Sequence, residues 1–297
     1  MRKDVSFESK GLTCRGWLYL PRGLAADETV PAIVMAHGFS AVKEQALPEF
    51  AERFADAGFA VLVFDYRCFG DSEGEPRCQL FPLDMVEDYR NAITWVAAQP
   101  HIDPARIGVW GTSFSGGLAA YVGTFDRRVK AVVAQVPSLT NAETRRATDP
   151  AKWDAVGEAL LQDRVARYET GAVNRMKVVA PDGEPCVLPG SEPYDAFMEF
   201  KDAAPNWRDE ITIESLEKVR EFDPVSHLHL LAPTALLVIA AENDSLLPVA
   251  TVKTSYDRAA DPKKLVILPI GHFEIYQDPW LSRAADDAGA WFKTYLV

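Results

Sequence analysis

The sequence predicts an α/β fold with a mostly parallel central sheet, helices on both faces and an inserted lid. Three observations predict it. Short β-branched runs alternate with amphipathic helical segments after residue 30, the alternation stops between about residues 138 and 224, and it then resumes to the C-terminus. Apolar strands separated by helices are typical of parallel sheets, because crossover helices cover both faces.

The first elements predict an antiparallel hairpin followed by parallel units. Residues 5–9 and 12–21 are strand-like and flank a turn. Further strands are predicted at 32–36, 60–66, 106–111 and 129–136. Helices are predicted near 47–58 and 83–99, and from residue 113.

The later part of the chain divides the protein into a core and an insertion. Strands at 234–240 and 265–270 and helices near 249–260 and 281–296 continue the sheet pattern. The intervening stretch contains charged and aromatic residues without that alternation. We therefore expect a core of residues 1–137 and 225–297, with residues 138–224 forming a lid over the carboxyl edge of the sheet.

Composition narrows the class of protein. The 297 residues are 48% hydrophobic and carry a formal net charge of −12, which suits one large core and disfavours nucleic acid as a partner. The polar N-terminus and the absence of a long apolar run predict a cytoplasmic protein without a membrane partner. The four cysteines are scattered, so neither a metal site nor a disulfide scaffold is expected, and a homodimer is compatible with the sequence.

The most specific motif is Gly-Thr-Ser-Phe-Ser-Gly-Gly at residues 111–117, between a predicted strand and a predicted helix. This context is typical of a nucleophile elbow, in which a sharp turn presents a serine above the sheet. Ser113 is the favoured nucleophile because it stands two residues after the glycine that ends the strand. Ser115 is the alternative, since a G-x-S-x-G pattern matches neither serine completely.

A serine nucleophile needs a histidine base and a carboxylate to orient that base. His272, in the loop after the last predicted strand, is the favoured base, and His37 after the first parallel strand is the competitor. Asp244, after the penultimate strand, is the favoured carboxylate. Glu242 and Asp223 are weaker candidates. The other histidines occupy loop-like polar contexts and are expected at the surface: His101, His227 and His229.

These residues together resemble the α/β-hydrolases over nearly the whole chain. The resemblance rests on His37-Gly38-Phe39, Asp65 to Ser72, Gly111 to Gly117, Glu242 to Asp244, and Gly271-His272. It is strongest for the dienelactone-hydrolase-like branch, which is related to acetyl-xylan esterases, prolyl-peptidase-like hydrolases and fungal polyketide transferases. The resemblance implies an oxyanion hole formed by the backbone N–H groups of Phe39 and Phe114.

The predicted function is a serine hydrolase that acts on a small-molecule ester or thioester through an acyl-enzyme, with no cofactor. An acyltransferase with the same triad is the main alternative, and a carbon–carbon bond hydrolase or peptidase remains open. A non-catalytic binding protein of the same fold is disfavoured because all three triad residue types are present. A serine at the elbow also disfavours dienelactone hydrolase, which uses cysteine there, and haloalkane dehalogenase and epoxide hydrolase, which use aspartate.

Overall fold

The computed structural model describes residues 2–25 and 27–297, so Met1 and Ala26 of the predicted core lie outside the described residues. The described chain contains ten strands: β1 Arg2–Ser9, β2 Leu12–Tyr19, β3 Val30–Ala36, β4 Ala60–Phe64, β5 Ile102–Thr112, β6 Val129–Gln135, β7 Arg175–Met176, β8 Ile211–Thr212, β9 Ala235–Ala241 and β10 Lys263–Leu268.

Nine α-helices are found among the same residues: α1 Leu47–Asp56, α2 Pro82–Ala97, α3 Phe114–Phe125, α4 Ala142–Thr148, α5 Pro150–Thr170, α6 Ser191–Lys201, α7 Ile213–Glu221, α8 Val249–Tyr256 and α9 Trp280–Leu296. Two short 3-10 helices occupy Leu228–Leu230 and Glu274–Tyr276. None of these helices is both long enough and apolar enough to cross a membrane.

Eight strands form one sheet in the order β1-β2-β4-β3-β5-β6-β9-β10. The β1–β2 and β2–β4 pairs are antiparallel, and the other neighbours are parallel. Strands β3, β4 and β9 are buried along their whole length, as expected for central strands covered on both faces. The predicted α/β-hydrolase fold is therefore confirmed.

Two apolar clusters cover the two faces of the sheet. One includes side chains of α2, α3 and α8, and the other includes side chains of α1 and α9. Because the central strands are parallel, the loops after β3, β5, β6, β9 and β10 meet at one edge. That edge is where the sequence places its candidate site residues.

The segment between β6 and β9 contains helices α4 to α7 and the two-stranded antiparallel pair of β7 and β8. Its helices pack against one another and also contact loops at the edge of the main sheet. In particular, Ser245 Oγ after β9 donates a 2.6 Å hydrogen bond to Glu192 on α6. That residues 138–224 act as a lid over the sheet stays a prediction.

Candidate active site

Ser113 occupies a strained turn between β5 and α3. Its backbone has φ 54° and ψ −121°, a conformation that a residue with a side chain rarely adopts. Such strain costs about 1–3 kcal/mol and persists only where the surroundings enforce it. The turn directs the serine to the edge of the sheet, at the N-terminus of α3.

Small residues around Ser113 allow strand and helix to approach closely enough for this turn. A Cβ atom on Gly111 would lie 2.1 Å from the carbonyl oxygen of Ser115, and one on Gly116 would lie 2.7 Å from Cβ of Pro137. Both distances are far below van der Waals contact. Glycine at these positions is therefore a steric requirement of the elbow.

Ser115, the alternative nucleophile, is fully buried behind the turn. Its hydroxyl oxygen lies 2.7 Å from the Tyr66 hydroxyl and 3.2 Å from the Tyr89 hydroxyl. Tyr89 in turn donates to the carbonyl of Trp110 at 2.7 Å. These contacts explain why serine replaces the second glycine of the motif: its hydroxyl satisfies two buried tyrosines.

His272 brings the three favoured residues together. Its Nε2 atom lies 3.1 Å from Ser113 Oγ, and its Nδ1 atom lies 2.7 Å from Asp244 Oδ2. The other carboxylate oxygen of Asp244 accepts from the backbone N–H groups of Leu246 and Leu247, at 2.9 and 2.7 Å. A carboxylate beside Nδ1 favours the proton there, which leaves Nε2 free to accept a proton from the serine.

The competing candidates lie elsewhere. Glu242 is exposed, and the Asp223 carboxylate accepts hydrogen bonds from Val225 and Ser226 instead of from a histidine. His227 and His229 are exposed, and His101 is partly exposed. Within the described residues, none of these groups is hydrogen bonded to Ser113 or His272.

The loop after β3 borders Ser113. A Cβ atom on Gly38 would lie 3.2 Å from Cβ of Ser113 and 3.8 Å from its hydroxyl oxygen. The rings of Phe39 and Phe114 meet edge to face, with centroids 5.9 Å apart. Phe39 and Phe114 thus lie on the two sides of the serine, and the role of their backbone N–H groups in an oxyanion hole stays a prediction.

An ion-pair cluster fixes this loop to the loop after β4. The buried Lys43 ammonium lies 2.8 Å from Asp65, 2.6 Å from Asp71 and 2.7 Å from Glu44. Burial lowers the pKa of Lys43, but the three carboxylates outweigh that effect and raise it overall. Asp65 also accepts from the backbone N–H of Lys43 at 2.7 Å. Sequence reasoning missed this lysine because two of its partners, Asp65 and Asp71, are distant along the chain.

His37 lies at the start of the same loop and is fully buried. Its Nδ1 atom lies 3.0 Å from the carbonyl oxygen of Gly38, and its ring packs against Tyr66 and Phe69. Burial lowers the pKa of His37 to about 4, so the imidazole is neutral at pH 7. It shapes the loop but does not touch Ser113 Oγ within hydrogen-bond distance.

A cavity of about 750 Å³ opens in front of Ser113 and His272. This volume lies within the usual range of small-molecule sites. Of the aromatic residues that the sequence assigned to the insertion, Trp153, Phe197 and Phe200 line the cavity. Trp207 instead stacks on Phe197 behind the wall, and Tyr168 is 92% exposed. Only some of the aromatic residues of the insertion therefore line the cavity.

Most of the chain matches one known protein family. The family model described as X-Pro dipeptidyl-peptidase (S15 family) matches residues 15–274. The chain belongs to the S15 family. This membership confirms the resemblance to α/β-hydrolases and makes the chain an enzyme of the hydrolase kind.

Relatives of this S15-family chain carry several activities in their names. The chain is 35% identical over 263 residues to thiohydrolase aneE of Aspergillus aculeatus, and the match covers 86% of this chain and 80% of that protein. It is 30% identical over 285 residues to the quorum-quenching protein AidA of Acinetobacter baumannii, covering 96% and 92%. The crystal structure of the α/β hydrolase GrgF from Penicillium superposes on this chain with a TM-score of 0.83 at 25% identity. The superposition covers 100% of this chain and 99% of that one.

The neutral, buried His37 predicts a pH dependence of stability. A histidine in the unfolded chain takes a proton below its ordinary pKa of 6.5, whereas the folded protein resists protonation until about pH 4. Stability therefore falls as pH drops from 7 to 5, and His37 accounts for about 2 kcal/mol of that fall. We expect His37→Asn to reduce the difference in unfolding free energy between pH 7 and pH 5 by about this amount, measured by urea denaturation.

The matched control for this measurement is His101→Gln, at a partly exposed position. This variant tests whether removing any histidine alters the dependence of the unfolding free energy on pH. An unchanged pH slope in His37→Asn would contradict the assignment of a neutral imidazole at residue 37.

Proposed function

We propose that the protein hydrolyses a carboxylic ester or thioester through an acyl-enzyme on Ser113. The observation that carries the proposal is the continuous hydrogen-bonded chain from Ser113 Oγ through His272 to Asp244, at 3.1 and 2.7 Å. The strained turn at Ser113 supports it, since backbone strain of this kind clusters at functional sites. The thiohydrolase among the relatives is consistent with a thioester substrate.

The acylation step follows from this arrangement. Ser113 Oγ attacks the carbonyl carbon while His272 Nε2 takes the hydroxyl proton, and the carbonyl oxygen becomes negatively charged. The backbone N–H groups of Phe39 and Phe114 stabilise that oxygen. When the tetrahedral intermediate collapses, the bond to the leaving alcohol or thiol breaks and His272 returns the proton to it.

Deacylation repeats the same steps with water. His272 removes a proton from a water molecule, the hydroxide attacks the acyl carbon, and the free acid leaves as Ser113 recovers its proton. Asp244 stabilises the imidazolium in both halves of the reaction. Its own position is fixed by two backbone amides, so little reorganisation is needed when the charge forms.

Acyl transfer is the second candidate function. GrgF, the relative with the superposed structure, is also named a polyketide transferase. In a transferase, an alcohol or amine would take the place of water in the second half-reaction. Adding alcohol acceptors to the assay distinguishes the two, because a transferase then forms more acyl product and less free acid.

The peptidase activity in the family's name is less favoured by the cavity. An exopeptidase that acts near a free N-terminus must bind an ammonium group, which requires negatively charged partners. Asp149 is the one acidic side chain among the described residues that line the cavity, and its carboxylate accepts from the backbone N–H of Lys152 at 2.9 Å. We therefore place ester and thioester hydrolysis first.

The triad is tested by substitution. We expect Ser113→Ala and His272→Ala each to lower turnover of p-nitrophenyl butyrate by about a millionfold, because the residues act as one unit, and Asp244→Asn to cost about ten thousandfold. The matched control is Glu242→Gln, an exposed neighbour, which we expect to leave turnover unchanged. Circular dichroism verifies folding, and substantial activity in Ser113→Ala would contradict the proposal.

The cavity predicts a preference for acyl chains of intermediate length. Each added CH₂ should raise kcat/KM about fourfold until the apolar space is full, since burial contributes about 0.8 kcal/mol per CH₂. Phe200→Ala enlarges the cavity and should move the optimum to longer p-nitrophenyl esters, whereas Tyr168→Ala, at an exposed position, should not. A rate independent of chain length would count against substrate binding in this cavity.

A further inference from the structure

One wall of the cavity is formed by α4, α5 and α7 and carries three basic side chains. Arg145 comes from α4, Lys152 from α5 and Arg220 from α7, and all three line the same cavity as Ser113. We call these three residues the basic wall. The reaction chemistry described above uses none of them.

Neutral groups hold the two arginines in place. Arg145 Nη2 donates to the carbonyls of Val219, Arg220 and Phe222 at 3.1–3.3 Å, and its buried Nε has no hydrogen-bond partner in the described part of the chain. The Arg220 guanidinium stacks on Trp153, 3.3 Å from the ring centroid, and donates to the Trp153 carbonyl at 2.7 Å. Both positive charges are therefore positioned without being neutralised.

Two carboxylates, Asp223 near Arg145 and Asp154 near Arg220, act on these arginines only from beyond ion-pair distance. Within the described chain, no carboxylate oxygen lies within 4.0 Å of the side-chain nitrogens of Arg145, Lys152 or Arg220. Asp149 accepts from the backbone at the start of α5, and Asp223 accepts from Val225 and Ser226. Burial lowers the pKa of Arg145, the more distant Asp223 offsets part of that effect, and the neighbouring Arg220 lowers the pKa further.

This arrangement is unusual for such an acidic protein. The chain has 43 acidic and 31 basic residues, so carboxylates are plentiful as ion-pair partners. Arg145 and Arg220 lie close enough to repel each other, which costs electrostatic free energy that no ion pair within 4.0 Å offsets among the described residues. A bound anion would recover it, and a guanidinium group matches the geometry of carboxylate and phosphate oxygens.

We propose that the basic wall binds an anionic group, a carboxylate or a phosphate, that the substrate carries in addition to its ester or thioester bond. This inference rests on the proposed function, because the same cavity contains Ser113. The anion has two sources that share this chemistry: a second carboxylate on the acyl chain, or a phosphate on the leaving group. The basic wall then selects substrates and sets their orientation toward Ser113.

The test compares matched anionic and neutral substrates. For the acyl chain, the pair is mono-p-nitrophenyl adipate and p-nitrophenyl hexanoate; for the leaving group, it is hexanoyl-coenzyme A and hexanoyl-N-acetylcysteamine. We expect the wild-type protein to prefer the anionic member of one pair in kcat/KM. Lys152→Gln and Arg220→Gln should each reduce that preference by about tenfold to a hundredfold, mainly through KM, because each removes a charge-assisted contact.

Arg146→Gln provides the matched control, since Arg146 is an exposed arginine on the same helix as Arg145 and does not line the cavity. We expect it to keep the wild-type preference. Arg220→Lys retains a positive charge and should retain part of the preference. The preference should also weaken as salt concentration rises. Thermal melting verifies that each variant is folded, and Lys152→Gln, at an exposed position, keeps the test decisive if Arg220→Gln is unstable.

The outcomes separate this inference from the proposed function. Equal kcat/KM for both members of both pairs in the wild-type protein would overturn the basic wall as an anion site while leaving ester hydrolysis in place. So would an anionic preference that survives Lys152→Gln and Arg220→Gln unchanged. Failure of the wild-type protein to hydrolyse any of the four substrates would instead overturn the proposed function.

Discussion

The structure of the site depends on the strained backbone at Ser113. A residue with φ 54° and ψ −121° at the end of a central strand requires glycine at residues 111 and 116, where any Cβ atom would collide with the backbone of Ser115 or with Pro137. The strain is sustained by a buried strand on one side and a buried helix on the other. As a result of this turn, the serine hydroxyl lies at the edge of the sheet, within hydrogen-bond distance of His272.

The groups around that serine are held by polar contacts that do not involve it. Two backbone amides hold the Asp244 carboxylate independently of its contact with His272. Lys43, in the loop beside Ser113, forms an ion pair with Asp65. Such buried polar groups are costly when a partner is lost, because each leaves an unsatisfied charge. The site is therefore ordered before substrate arrives, which is the condition for stabilising developing charge without reorganisation.

Much of the sheet and of the site could be predicted from the sequence because both follow local rules. The residues of β3, β4, β6 and β9 form the nearly continuous apolar runs that are typical of central strands, and loops after parallel strands meet at one edge. The sequence favoured Ser113 over Ser115 but did not indicate what Ser115 contacts, since its hydroxyl partners are tyrosines far along the chain. The Lys43 cluster and the basic wall were missed for the same reason. Helices α4 to α7 are interrupted only by the two-residue strands β7 and β8 and by no strand of the main sheet, so no periodic pattern indicated which of their side chains face the cavity.

The most direct test of the central claim is to locate the covalent adduct formed with a fluorophosphonate probe. Intact-protein mass spectrometry should show one probe per chain, and peptide mapping should place it on Ser113, because among the described residues only this half-buried hydroxyl is hydrogen bonded to His272 Nε2. An adduct on Ser115, or no adduct on a folded protein that remains active toward esters, would contradict the account.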